Sequence, residues 1–177
     1  EKETFAMMQS LQVKDSRVAF YEYNVPFNYS DINNYAVNTY AKGEQILLLN
    51  NDIDIITPEW IETLLEFSQQ EKVGAVGAKL YYPDDTIQHA GVIIGLGGVA
   101  GHSHKYFSNE SPGYFFRLNL TQNLSAVTAA CLMVKKTIFD QVKGLNEENL
   151  KIAFNDVDFC LRIQEAGYKN IYTPYCE

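Results

Sequence analysis

Basic residues are scarce. Lys and Arg number 14 against 22 Asp and Glu, a formal net charge of −8. That balance argues against a general binder of nucleic acid or anionic membrane, which shows a basic patch. It leaves room for a local basic site, or for one that meets phosphate through a metal. Cysteine is also sparse, at Cys131, Cys160 and Cys176, with no CxxC spacing. This excludes a paired disulfide framework and a zinc ribbon, and reads as free thiols, buried or partly buried, in a reducing compartment. In such a compartment the sequons at Asn28, Asn109, Asn119 and Asn123 carry no weight. No run of 18 apolar residues occurs, so no helical membrane span is expected. A Walker-type G-K-[ST] and a G-x-S-x-G nucleophile elbow are both missing. What is present is a globular composition, 46% hydrophobic and 20% charged over 177 residues. That is one domain by length, able to bury roughly 70% of its unfolded surface.

Helix-like and strand-like stretches alternate along the chain, which predicts an α/β architecture. Residues 3–12 read as a helix and 17–23 as a short strand. Ser30 offers an N-cap for a helix that stops near Gly43. Residues 45–50 hold Ile-Leu-Leu-Leu, the mark of a strand buried on both faces. Thr57-Pro58-Glu59 opens a helix, with Pro at its first position and an acid following. Residues 73–82 read as a strand, with Gly74 and Gly77 permitting close packing. A β excursion over 87–101 ends in a glycine-rich loop, and 102–120 is aromatic and loop-like. Residues 125–134 are small and apolar, a buried strand. Short helices at 137–142 and 155–166 precede a last strand at 170–173.

Three clusters could carry chemistry. Asp52-Ile53-Asp54 follows the apolar strand directly, at the strand end where open α/β sheets bind ligands. In extended backbone both acids face one side, and two carboxylates there suit a shared Mg²⁺ or Mn²⁺. The plain alternative is a solvated Asp-rich turn. Asn155-Asp156-Val157-Asp158 opens a helix, with Asn155 as its cap and Asp156 at the positive end of the dipole, fit to act as a general base. The plain alternative is acids that merely stabilise a helix start. Gly95 to His104 is a flexible glycine-rich loop bordering a polar site. His102 and His104 there could bind metal but have no third ligand nearby, and His89 reads as structural. Tyr114, Phe115 and Phe116 could stack on sugar faces; Trp60 reads as helix packing.

Read in series, these segments resemble a known family. Pro26-Phe-Asn-Tyr-Ser30, Gly43-Glu-Gln-Ile-Leu-Leu-Leu-Asn-Asn-Asp-Ile-Asp54, Thr57-Pro-Glu-Trp60 and Gly74-Ala-Val-Gly-Ala-Lys-Leu80 come first. His89-Ala-Gly-Val92, Ser125-Ala-Val-Thr-Ala-Ala-Cys-Leu-Met133 and Phe154-Asn-Asp-Val-Asp-Phe-Cys-Leu-Arg162 follow. Together they resemble family 2 glycosyltransferases of the GT-A fold, of the bacterial rhamnosyltransferase-like type, over nearly the whole chain. The resemblance implies a Rossmann-like, mixed but mainly parallel sheet flanked by helices. It implies one partial domain over 1–177 that lacks the family's first strand-helix-strand unit and its metal-completing end. Such a piece is expected to be inactive alone.

The implied activity is inverting transfer of a sugar from a nucleotide-diphosphate sugar to a saccharide or lipid-linked acceptor, in cell-surface polysaccharide synthesis. Asp52 and Asp54 match the DxD motif, with Asp54 the more direct ligand of Mg²⁺ or Mn²⁺ and Asp52 also toward the donor. Asp156 matches the catalytic base of the ED motif, where Asn155 replaces Glu. Arg162 matches an arginine toward the diphosphate. The implied place is the cytoplasm, with peripheral association of the parent at the inner membrane face and no nucleic-acid partner. Two other readings are a sugar-1-phosphate nucleotidyltransferase, whose basic triphosphate loop is missing, and a non-catalytic carbohydrate-binding or scaffold domain.

Overall fold

The computed structural model describes residues 2–177. Its five-stranded sheet is built from β1 (Gln45–Leu49), β2 (Val73–Gly77), β7 (Gln122–Leu124), β8 (Cys131–Lys135) and β9 (Lys169–Tyr172). Two small hairpins lie outside it: β3 (Leu80–Tyr81) with β4 (Ile87–His89), and β5 (Val92–Ile94) with β6 (Ala100–His102). The helices are α1 (Lys2–Lys14), α2 (Tyr29–Thr39), α3 (Trp60–Ser68), α4 (Lys136–Gln141) and α5 (Asn155–Glu165).

The sheet order is β1-β8-β2-β9-β7. β1, β2 and β9 run one way, as the expected parallel frame requires. The sheet is nevertheless not mainly parallel in its pairings. β8 enters antiparallel between β1 and β2, and β7 adds antiparallel to β9, so β2–β9 is the one parallel pair among the described strands.

Strand periodicity splits the core in two. On β8, Leu132 and Val134 point into one cluster, while Cys131 and Met133 point into the other. The larger cluster takes Val37 of α2, Ile138 and Phe139 of α4, and Phe159, Cys160 and Ile163 of α5. The smaller is closed by Leu64 of α3. The result is three layers, helix-sheet-helix. Gly74 is what lets α5 lie close: a Cβ there would meet Ile163 Cγ2 at 2.2 Å. A Cβ at Gly77 would meet Val127 at 2.5 Å.

Several local expectations are revised. β1 buries Ile46 and Leu48 on one face and packs Leu47, half-buried, on the smaller cluster with the other, but the run opens to solvent at its end, where Leu49 is 42% exposed. Residues 17–23 form no strand; Tyr21 and Tyr23 instead stack on Tyr40 and Tyr35 at 3.5 and 4.1 Å. Asn28, not Ser30, caps α2, accepting from the Asp31 N–H at 3.1 Å. That helix ends at Thr39, before Gly43. Residues 125–130 form no strand beyond one bridge of Ala126 to Val92; they run, mostly buried, into a turn at 129–130, and β8 begins at Cys131.

Candidate functional site

The 128–130 turn joins every part of the candidate site. Its Thr128 N–H donates to His89 Nε2 at 3.3 Å, and its Ala129 N–H donates to Asp156 Oδ2 at 3.2 Å. The Ala129 carbonyl accepts from the Tyr29 hydroxyl at 3.1 Å. The Ala130 carbonyl accepts from the Asn50 N–H at 2.9 Å, tying the turn to the end of β1. Consecutive residues of one turn thus hold the acidic loop after β1, the start of α5 and a buried histidine.

A cavity of about 540 Å³ opens on one side of this turn, lined by Asp52, Asp54, Trp60, Lys79, Tyr81 and Ala130 among others. Ile53 packs inward against the smaller core cluster, while Asp52 and Asp54 on either side of it are exposed. The loop is pinned at both ends: the Asn50 N–H donates to the Ala130 carbonyl at its start, and the N–H groups of Ile56 and Thr57 donate to the Glu177 carbonyl at 3.0 and 2.9 Å at its end. Lys79, 4% exposed, is the cation of this cavity; its Nζ lies 3.4 Å from Glu177 Oε1 and 5.0 Å from the Tyr81 ring centre. The Tyr81 hydroxyl also donates to Glu177, and burial with that carboxylate holds its proton on. Trp60 both lines the cavity and packs on the smaller core.

A second cavity of about 250 Å³ holds Asp156 together with His102, Gly101, Phe154 and Val92. Asp156 Oδ1 accepts from the Val157 N–H at 2.9 Å, and Oδ2 from Ala129, so both oxygens are oriented. Asn155 is not the cap. Phe154 takes that place in a left-handed conformation (φ 59°), and the buried Asn155 Nδ2 bonds back to the Ile152 carbonyl at 3.3 Å. Tyr29 stands next to this carboxylate; burial first, then the Asp156 charge, pushes its pKa up to about 12.

Asp52 and Asp54 thus share one cavity and Asp156 lines another, linked through the turn: Ala130 lines the first, and the Ala129 N–H bonds the carboxylate of the second. Arg162 is not brought to either. Its guanidinium is ion-paired with Asp158 at 2.7 Å and also donates to the Val142 carbonyl. Tyr114, Phe115 and Phe116 are 65–77% exposed, and Phe115 and Phe116 adopt φ of 51° and 59°, a costly conformation for bulky residues. His104 Nδ1 hydrogen-bonds the Ser103 hydroxyl at 2.6 Å. All three cysteines are buried and free, as expected, with Cys131 and Cys176 lining the larger cavity.

Sequence reasoning missed Lys79, Tyr81 and Glu177. Lys79 carried a signal, a lone cation inside an apolar strand segment; Glu177 carried none.

The donor chemistry fits a divalent ion in part. Mg²⁺ and Mn²⁺ are commonly held by one or two carboxylates plus substrate phosphates. Asp52 and Asp54 make no hydrogen bond or ion pair among the described residues, so their oxygens are free for such an ion. No group of three or more metal-ligating side chains occurs among the described residues. No described helix is long and apolar enough to cross a membrane.

No protein-family model matches the chain. An uncharacterized protein of Sinorhizobium fredii, y4gI, is 51% identical over 177 residues, all of this chain and 19% of that protein. The O-antigen biosynthesis protein RfbC of Myxococcus xanthus is 37% identical over 173 residues, 97% of this chain and 13% of that protein. The chain therefore spans a fifth or less of the curated relatives it matches. Among solved structures, a mannosyltransferase from Pyrobaculum calidifontis, in complex with GDP-Man and Mn²⁺, superposes with a TM-score of 0.66. That match covers 99% of this chain and 44% of the other at 13% identity. The chain has this GT-A-like glycosyltransferase fold.

Proposed function

We propose that the protein transfers a sugar from a nucleotide-diphosphate sugar to a saccharide or lipid-linked acceptor, with inversion, in cell-surface polysaccharide synthesis. One observation carries the reading: the 128–130 turn lines a cavity with two free carboxylates through Ala130 and holds the carboxylate of a second cavity through the Ala129 N–H. A single displacement needs that arrangement, with leaving group and incoming hydroxyl on opposite sides of the reacting carbon. The O-antigen relative and the nucleotide-sugar complex of the mannosyltransferase support the substrate class.

Asp52 and Asp54 would hold the divalent ion, Mg²⁺ or Mn²⁺. When bound, it neutralises charge developing on the departing diphosphate. Lys79 adds a second positive charge to that cavity. Asp156 takes the proton of the acceptor hydroxyl as the new bond forms; its Oδ1 and Oδ2 are oriented by the Val157 and Ala129 backbone N–H groups. Arg162 acts at a distance, holding α5 through Asp158 and Val142 rather than touching the diphosphate. The exposed aromatics at 114–116 are the acceptor-facing surface. A cytoplasmic setting, at the inner membrane face, belongs to the same proposal and rests on the unpaired cysteines of the composition.

The test is calorimetric. Asp54→Ala is expected to abolish Mn²⁺-dependent binding of a nucleoside diphosphate while leaving the thermal transition of the protein in place. Metal-dependent binding that survives in the variant would remove Asp54 from the donor site.

A further inference from the structure

The buried histidine behind the Asp156 cavity is wired in a way that fixes the chemistry of its neighbour. His89 is fully buried. Its Nε2 accepts two backbone N–H groups, from Gly91 at 3.2 Å and Thr128 at 3.3 Å. A nitrogen that receives two N–H groups carries no proton, so the proton of the neutral ring sits on Nδ1. Nδ1 lies 2.8 Å from Nδ1 of His102, which must therefore accept. His102 in turn keeps its own proton on Nε2. The β5–β6 register sets this up, pairing Val92 with His102 across the hairpin. Gly91, at φ 91°, has no room for a Cβ, which would meet Leu124 Cδ1 at 1.9 Å.

Protonating either ring would place N–H against N–H. The charges around the pair agree with a neutral state. Burial, then His102, drives His89 well below the ordinary histidine range. Burial also lowers His102; Asp156 pulls the other way and Lys105 adds to the lowering. His102 and Asp156 line the same cavity.

We propose that His89 locks His102 as a neutral imidazole whose Nε2–H donates a hydrogen bond to an oxygen of the saccharide acceptor beside Asp156. This rests on the transferase reading above and extends it to the acceptor. A neutral donor can bind and orient a sugar hydroxyl without competing with Asp156 for the proton that leaves it. His102 is thus an acceptor-binding residue, and His89 is a positioning residue acting through it.

Two measurements separate this proposal from the transferase reading. Imidazole ¹⁵N spectra of the protein, recorded between about pH 5 and 8, are expected to show His89 as the Nδ1–H tautomer and His102 as the Nε2–H tautomer throughout. A protonated or Nδ1–H His102 at neutral pH would overturn the lock. In transfer assays with a panel of nucleotide-sugars and oligosaccharides, His102→Ala is expected to raise the acceptor KM about three- to tenfold, the loss of one neutral hydrogen bond. The donor KM should not move. His102→Gln, whose amide keeps an N–H near the Nε2 position, should restore most of the loss. An unchanged acceptor KM in His102→Ala would overturn the acceptor role. If the unaltered protein transfers no sugar at all, as is expected of a partial domain, the transferase reading is tested on the full-length parent instead. Titration of the same oligosaccharides against the His102 Nε2–H signal then decides the acceptor role, with a shift supporting it and no shift overturning it.

Discussion

At the scale of single residues, position in the fold decides what an ordinary side chain does. Asp52, Asp54 and Asp156 were readable from their neighbours in sequence, because a strand end and a helix start are local events. The partner groups were not. Lys79 lies between β2 and β3, and Glu177 about 100 positions away, and only the fold brings them within 3.4 Å. His89 looked merely structural and is buried as such, but its contact with His102 makes it more than a filler. It also has a consequence for stability. A buried histidine held below its unfolded value of 6.5 binds fewer protons in the native state than in the unfolded one. Stability is therefore full above that value and falls as pH drops below it, while the unfolded chain gains a proton that the native state refuses. Denaturant midpoints measured between about pH 7 and 5 should decline accordingly. In a His89→Gln variant that part of the slope should vanish, whatever its effect on the absolute midpoint.

At the scale of elements, the helices were more legible than the strands. α5 begins where the sequence placed it, although Phe154 in a left-handed conformation, rather than Asn155, opens it. Residues 125–130 were read as strand because they are small and apolar. They are so because they run, mostly buried, into a turn whose N–H and carbonyl groups are taken by side chains and by Asn50. Composition alone does not separate those two reasons for burial. Asn170 shows how much a single amide on β9 ties together. Its Nδ2 donates to the Ser125 and Cys160 carbonyls at 3.0 and 2.8 Å, and its Oδ1 accepts from the Ala75 N–H at 3.2 Å. Asn170→Ala would leave these buried groups unpaired and should cost at least about 2 kcal/mol in urea unfolding. Gly91→Ala should also destabilise, by about 1–3 kcal/mol, since the added methyl meets Leu124 and φ is positive. A Gly91→Ala protein as stable as the parent would show that the β5 hairpin can shift.

At the scale of the whole molecule, the motif series identified the fold type, and the superposition on a glycosyltransferase structure bears that out. The order of the sheet was out of reach. Nothing local in residues 131–135 says that they insert antiparallel between β1 and β2, because that pairing depends on contacts more than 50 residues apart in sequence. The charge balance also takes a definite meaning at this scale. Under the proposed transferase reading, a chain of net charge −8 would meet a polyanionic donor with two free carboxylates and one buried lysine in the larger cavity. Phosphate binding there should therefore depend on a divalent cation. The central claim is that one turn separates donor binding from proton removal. It is tested most directly by Asp156→Asn in the full-length parent, assayed side by side for Mn²⁺-dependent nucleotide binding and for sugar transfer. The expected result is unchanged nucleotide affinity with transfer reduced about 10²- to 10⁴-fold, the usual contribution of a general base. Transfer at the parental rate in that variant would contradict the account.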